Sequence, residues 1–217
     1  MKFSIKPLVA ASLVLFASTA NAELMLELSE TADFTGPIVA ATDTDGDGQV
    51  DINGAFGGWI ANVVSGFGSP LLGDAYTDEL DLVSANISGG TGDLYIRLTD
   101  TDYDRGNAPY NISFGGTTNG SVSFQSYADA SNAAFGTGTL LADSGTLSDA
   151  AFSGTQSGSL SMTNPYSMSI YAAVHHDSGF NISSFDYNIK VPEPTSIALL
   201  GLGLLGFAAA RRNKSKA

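Results

Sequence analysis

Ser167-Met168-Ser169-Ile170-Tyr171-Ala172-Ala173-Val174 decides the fold. Met168, Ile170, Ala172 and Val174 alternate with Ser167, Ser169, Tyr171 and Ala173. Successive side chains of a strand point to opposite faces, so this segment offers one apolar and one more polar face. The same alternation recurs outward from it. Leu94, Ile96 and Leu98 alternate with Tyr95, Arg97 and Thr99; Val122 and Phe124 with Ser121, Ser123 and Gln125; Phe185, Tyr187 and Ile189 with Asp186 and Asn188. Weaker candidates are 23–30, 59–64, 80–87 and 157–162, giving about eight strands and no helical stripe between Glu23 and Lys190. Clusters of Gly, Asn, Asp and Ser separate them. Gly115 to Gly120 reads as a hairpin loop with Asn119-Gly120 at its tip. The expectation is an all-β body, a jelly-roll-like antiparallel β-sandwich, with Trp59, Leu94, Ile96, Leu98, Phe124, Ile170 and Phe185 in its core.

The 217 residues hold 22 acids, nine bases and no cysteine. The bases are unevenly placed. Lys2 and Lys6 open the chain, and Arg211, Arg212, Lys214 and Lys216 close it. Between Glu23 and Lys190, 21 acids face only Arg97, Arg105 and Lys190, a net of −18. That balance argues against a nucleic-acid partner, which requires a basic surface to replace counterions. The lack of cysteine excludes disulfides, zinc thiolates and cysteine nucleophiles.

Both ends read as addresses. Residues 1–22 have the order of a secretory signal peptide: basic Lys2 and Lys6, apolar Leu8 to Phe16, then Ala20-Asn21-Ala22 as a small-x-small site for signal peptidase. The apolar run is too short to span a bilayer. The mature body then starts at Glu23 and runs to Lys190, followed by a tail over 191–217. In that tail Thr195 to Ala210 has no charge. Ile197, Leu199, Leu200, Leu202, Leu204, Leu205 and Phe207 make it apolar all round, so it reads as a transmembrane helix rather than an amphipathic one. Such a helix is about 24 Å long, slightly under the hydrocarbon thickness. Arg211 and Arg212 snorkel to the headgroups and favour a cytoplasmic C-terminus at the inner membrane.

Immediately before it stands Val191-Pro192-Glu193-Pro194-Thr195, held extended by its two prolines. Pro192-Glu193-Pro194, a short Gly/Leu/Ala-rich helix and Arg211-Arg212, in that order, resemble the PEP-CTERM sorting tail. The resemblance covers about 26 residues and leaves the body untouched. It implies processing by an exosortase, a membrane transpeptidase of exopolysaccharide-forming Gram-negative bacteria. The same tail is also known as an ice-binding-protein C-terminal domain, a name that implies no ice binding.

Few constellations in the body could carry chemistry. Asp43 to Asp51, DTDGDGQVD, matches the first nine places of a calcium loop: Asp43, Asp45 and Asp47 alternate, Gly48 makes the bend, Gln49 offers its carbonyl and Asp51 follows. The twelfth place is Gly54 instead of a bidentate acid, so the alternative is an acidic surface turn. Asp100, Asp102 and Asp104 at period 2 share one side of an extended segment, with Arg105 adjacent as the expected ion-pair partner. His175 and His176 face opposite sides of a strand, so they do not bind one metal together; both read as a surface turn. No G-x-S-x-G elbow is present. The expected role is a non-catalytic surface or matrix protein, structural or interacting with exopolysaccharide. A secreted enzyme acting on matrix polysaccharide is the alternative.

Overall fold

The computed structural model describes residues 23–73 and 76–192. The expected signal peptide with Ala20 and Ala22 lies outside the described residues. So do Glu193, Pro194, the apolar run from Ile197 to Phe207, and Arg211-Arg212. Within the described residues there are twelve strands and no helix. They are β1 (Met25–Ser29), β2 (Ile38–Thr42), β3 (Gln49–Phe56), β4 (Trp59–Phe67), β5 (Thr77–Gly89), β6 (Gly92–Tyr103), β7 (Pro109–Thr118), β8 (Ser121–Asp129), β9 (Thr139–Leu147), β10 (Ala151–Ser159), β11 (Tyr166–His176) and β12 (Ile182–Pro192).

Two six-stranded antiparallel sheets result, ordered β2-β1-β6-β11-β8-β9 and β10-β7-β12-β5-β4-β3; we term them sheet A and sheet B. From β5 onward the chain changes sheet at every connection except β8 to β9. The orders β10-β7-β12-β5 and β6-β11-β8-β9 are those of an eight-stranded jelly roll, two interlocked Greek keys. The hairpins β1-β2 and β3-β4 widen the two sheets at the same side, which brings β2 against β3.

Alternation places the core as the sequence predicts. Leu94, Ile96 and Leu98 on β6, and Met168, Ile170 and Val174 on β11, are fully buried. Trp59, Phe124 and Phe185 are buried as well. Phe124 of sheet A lies among Phe185, Tyr187, Phe114 and Phe152 of sheet B at ring-centroid distances of 5.0, 5.2, 5.5 and 6.1 Å. Tyr187 also reaches across the sandwich, its hydroxyl donating to Ser126 Oγ at 2.8 Å.

Three local expectations are corrected. Gly115 to Thr118 belong to β7, and Asn119-Gly120 joins sheet B to sheet A, so the turn closes no hairpin. Gly116 is required there because a Cβ would collide with Ser184 O and Phe185 on the paired strand. Asp100, Asp102 and Asp104 do not share one side. The pairing of β6 with β11 is irregular between Asp100 and Tyr103, and Asp102 has φ 66°. His176 is buried, not on a surface turn: its Nδ1 donates to Gly89 O at 2.7 Å, its Nε2 meets Ser183 Oγ at 3.0 Å, and its ring lies 4.9 Å from Trp59. His175 does face the opposite way, toward Asp93 and Asp177 in solvent.

Removing the ring that joins the two sheets should be costly. Phe124→Ala is expected to destabilise the body by about 3–5 kcal/mol in urea unfolding. A loss under about 1 kcal/mol would show that the sheets do not depend on this contact.

Candidate functional site

The last described strand runs into the segment that the sequence assigns to the tail. β12 continues past Lys190, with Val191 fully buried opposite Asp78 and Pro192 opposite Thr77. Val191 and Pro192, which the sequence reading assigns to the tail, thus pair within β12. By Pro192 the strand has left β7, whose pairing ends at Lys190. Proline without an N–H is tolerated at such a position. At the other end, Glu23 N donates to Thr101 Oγ1 at 2.9 Å and Leu24 is fully buried, so the packing of the described residues includes their first two.

Of the expected metal ligands, Asp43, Asp45 and Asp47 are brought together, with one carboxylate oxygen of each within 4.8 Å of the others. Asp43 organises the loop. Its Oδ1 accepts from Gly46 N at 2.8 Å and its Oδ2 from Gly48 N at 2.8 Å. Burial pushes its carboxyl up, and the Gly48 and Gly46 amides outweigh that and hold it below the usual range. Gln49 and Asp51 are already in β3, where alternation directs Val50 and Ile52 inward. Asp51 is thereby turned away from the cluster, accepting from Ser65 Oγ at 2.5 Å and from Gln49 Nε2 at 2.7 Å.

The second acidic run builds a corner at one end of the sandwich. Asp100 is fully buried and accepts from Ser69 N at 2.9 Å and Thr101 N at 2.8 Å. Asp102 and Asn132, both at positive φ, exchange hydrogen bonds of 2.9 and 2.7 Å. Arg105 pairs with its neighbour Asp104, as expected, and also with buried Asp78 at 2.7 Å. Asp78 receives further donors from Tyr166 Oη at 3.0 Å and Arg105 N at 3.0 Å. Burial raises its carboxyl, against the opposing pull of Arg105. A cleft of about 520 Å³ opens here, lined by Asp78, Asp102, Asp104 and Arg105 among others. No signal in the sequence ties Asp78 to Arg105, which lies 27 positions away.

All three basic residues of the body are held in ion pairs. Lys190 Nζ lies 3.0 Å from Glu79, and Arg97 Nη2 lies 2.6 Å from Glu27. The Arg97 guanidinium is also clamped between the rings of Phe34 and Phe135, at 3.9 and 4.0 Å. Those rings come from the β1–β2 and β8–β9 loops, so Arg97 ties both loops onto the outer face of sheet A. Period-2 alternation locates Arg97 on that face, but not the two rings.

A PEP-CTERM protein-sorting motif matches residues 190–212, so the chain carries the C-terminal sorting signal of an exported protein. Its first three residues are the last of β12. No curated protein matches the chain. Among solved structures, the chain is similar to the PA14 sugar-binding domain from an RTX adhesin, at 10% identity over 79% of this chain and 91% of that one, TM-score 0.36. It is also similar to the C-terminal CBM6 of LamC from Zobellia galactanivorans, at 11% identity over 64% and 98%, TM-score 0.29. A PA14 domain of the MpAFP antifreeze protein matches at 13% identity over 43% of this chain, TM-score 0.29, and this chain covers 41% of it. Likenesses this distant define neither topology nor ligand; the topology rests on the strand order.

Two acids dominate the expected pH response. Burial pushes Asp100 up to about 6, against the Ser69 and Thr101 amides. Burial also pushes Asp81 up to about 6, against Asn188 and with Glu79 and Asp186 adding to the rise. Unfolded, both titrate near about 3.9. Between about pH 4 and about pH 6 the folded state thus binds more protons, and these groups lower stability as pH rises through that window. Melting curves of Asp81→Asn should show a smaller fall across it than the wild type; parallel curves would refute the assignment.

Proposed function

We propose that the protein is an exported, non-catalytic component of the cell surface or extracellular polysaccharide matrix of an exopolysaccharide-producing Gram-negative bacterium. In this reading signal peptidase cuts after Ala22. The tail helix holds the body at the inner membrane until an exosortase acts near Pro192-Glu193-Pro194, and the body then interacts with carbohydrate or serves structurally. The single observation that carries the reading is the sorting motif over 190–212. Ordered packing from Leu24 to Val191 supports it, because a cut after Ala22 precedes the buried Leu24 and a cut past Pro192 follows the last described pair of β12. Intact-mass measurement of membrane and released fractions is expected to give a body starting at Glu23 and lacking Arg211-Arg212. A released form that retains Arg211-Arg212 would overturn the processing step.

Calcium is a second part of the proposal. Three carboxylates held within 4.8 Å repel one another, and a hard cation relieves that repulsion. Asp43, Asp45 and Asp47 would bind it with the Gln49 carbonyl, and Asp51 stays with Ser65. Extracellular calcium modules bind at about 10⁻⁴–10⁻³ M, so about 10 mM calcium should raise the melting temperature by about 3–10 °C over chelator. An equal response in Asp45→Ala would reduce the loop to an acidic turn.

A second reading, an enzyme acting on matrix polysaccharide, is favoured by the corner cleft, where burial raises Asp78 beside Asp104 and Arg105. Polysaccharide turnover by the released protein, abolished in Asp78→Asn, would replace the non-catalytic reading.

A further inference from the structure

The outer face of sheet A carries a built cleft that the sorting signal does not account for. Strand register lays Glu27, Arg97, Tyr171, Gln125 and Asp143 in one row across β1, β6, β11, β8 and β9. The neighbouring row runs Tyr95, Ala173, Ser123. The loops carrying Phe34 and Phe135 fold over the face on either side of Arg97. Past Tyr95 the second row has only Ala173 and Ser123, and these are too small to fill the space beside Tyr95 and Tyr171. The result is a cleft of about 270 Å³, walled by Phe34, Tyr95 and Tyr171, floored by Ala173 and Ser123, and edged by Gln125 and Asp143.

Several features show that this surface is held in place. Phe34 and Phe135 sit at φ 52° and 56°, in the left-handed region that a bulky residue enters only when its surroundings demand it. Tyr171 Oη donates to Phe135 O at 2.7 Å, and Phe135 N donates to Thr99 Oγ1 at 3.1 Å. The polar edge is equally fixed. Gln125 Nε2 donates to Asp143 Oδ2 at 2.9 Å, Tyr127 Oη donates to Gln125 Oε1 at 3.0 Å, and Gly145 N donates to Asp143 Oδ1 at 2.8 Å. Both side chains keep further lone pairs or N–H groups for a ligand.

We propose that this cleft binds one ring of a neutral polysaccharide, a reading that rests on the body being a carbohydrate-interacting matrix protein. A pyranose ring has an apolar C–H face and a rim of hydroxyls. The aromatic walls suit the first, and the carboxylate, carboxamide and Ser123 hydroxyl at the edge suit the second. The cleft is too small for a chain, so neighbouring sugars run along the open sheet. Charge selects a neutral polymer. The body carries −18, Asp143 stands at the rim, and Glu27 already neutralises Arg97, so a uronate would be repelled. The outer face of sheet B does not compete. One cavity there is lined by Glu79, Asp81, Asn111, Asn188 and Lys190 with no aromatic residue, and among aromatic residues a second touches only Phe114, whose ring is packed against Phe124 and Tyr187 instead of facing out.

The test is calorimetric titration of the released protein with cellohexaose, mannohexaose and xylohexaose, and with an alginate hexasaccharide as the acidic probe. At least one neutral probe should bind the wild type, and alginate should bind at least about tenfold more weakly. Ala173→Phe fills the cleft while keeping every hydrogen-bonding group, and should weaken binding at least about tenfold with little change in melting temperature. Gln125→Ala, at an exposed position outside the core, should weaken it by about tenfold and serves if the first variant fails to fold. Wild-type binding that survives in the folded variants overturns the cleft and leaves the carbohydrate role standing. No binding of any probe by the wild type overturns both. Alginate bound as tightly as the neutral probes overturns the choice of a neutral polymer.

Discussion

Contact between two apolar sheet faces through one aromatic group holds this body together. Phe124 projects from sheet A into four rings of sheet B. Aromatic side chains bury large areas and prefer tilted or edge contacts, and this group shows both. Every other feature depends on that face staying dry. It determines which half of each strand's residues turns outward, and so which residues are available to meet solvent or a ligand. The jelly-roll path follows from the same constraint, since strands that cross from sheet to sheet bury both inner faces along the whole chain.

Charge is the second constraint. With 21 acids and three bases, the body has almost no cations to place, and each sits in an ion pair that also fastens structure. Arg97 holds two loops over sheet A, Arg105 closes the corner around Asp78, and Lys190 ties the last strand to Glu79 on β5. The remaining acids are accommodated in three ways. Some sit in solvent, some accept backbone amides as Asp43 does, and some are buried with raised carboxyls as Asp81 and Asp100 are. A surface left so acidic is self-repelling, which suits an exported protein.

How much of this could be read from the chain differs between elements. β6, β8, β11 and β12 were plain because four or more residues alternate strictly. β2, β3, β7 and β9 were not. Ile38–Thr42 is an exposed edge, Gln49–Phe56 follows directly on the acidic loop, Pro109–Thr118 holds a proline and two glycines, and Thr139–Leu147 pairs irregularly with β8. Their strand character comes from the neighbours they pair with, not from their own propensity. In the acidic loop the convergence of Asp43, Asp45 and Asp47 was legible, whereas the turning of Asp51 toward Ser65 was not, because β3 was not foreseen.

By itself the sequence determined the fold class, the core positions and the C-terminal sorting motif, since alternation and a proline triplet are local properties of the chain. Only the tertiary structure decided the partners. Asp78 meets Arg105 and Tyr166, His176 lies beneath Trp59, and Phe34 and Phe135 close on Arg97 from loops about a hundred residues apart. The cleft on sheet A likewise exists because Tyr95, Ala173 and Ser123 fall into register on three strands. Register between distant strands is set by how the whole chain passes from sheet to sheet, and no local pattern encodes it.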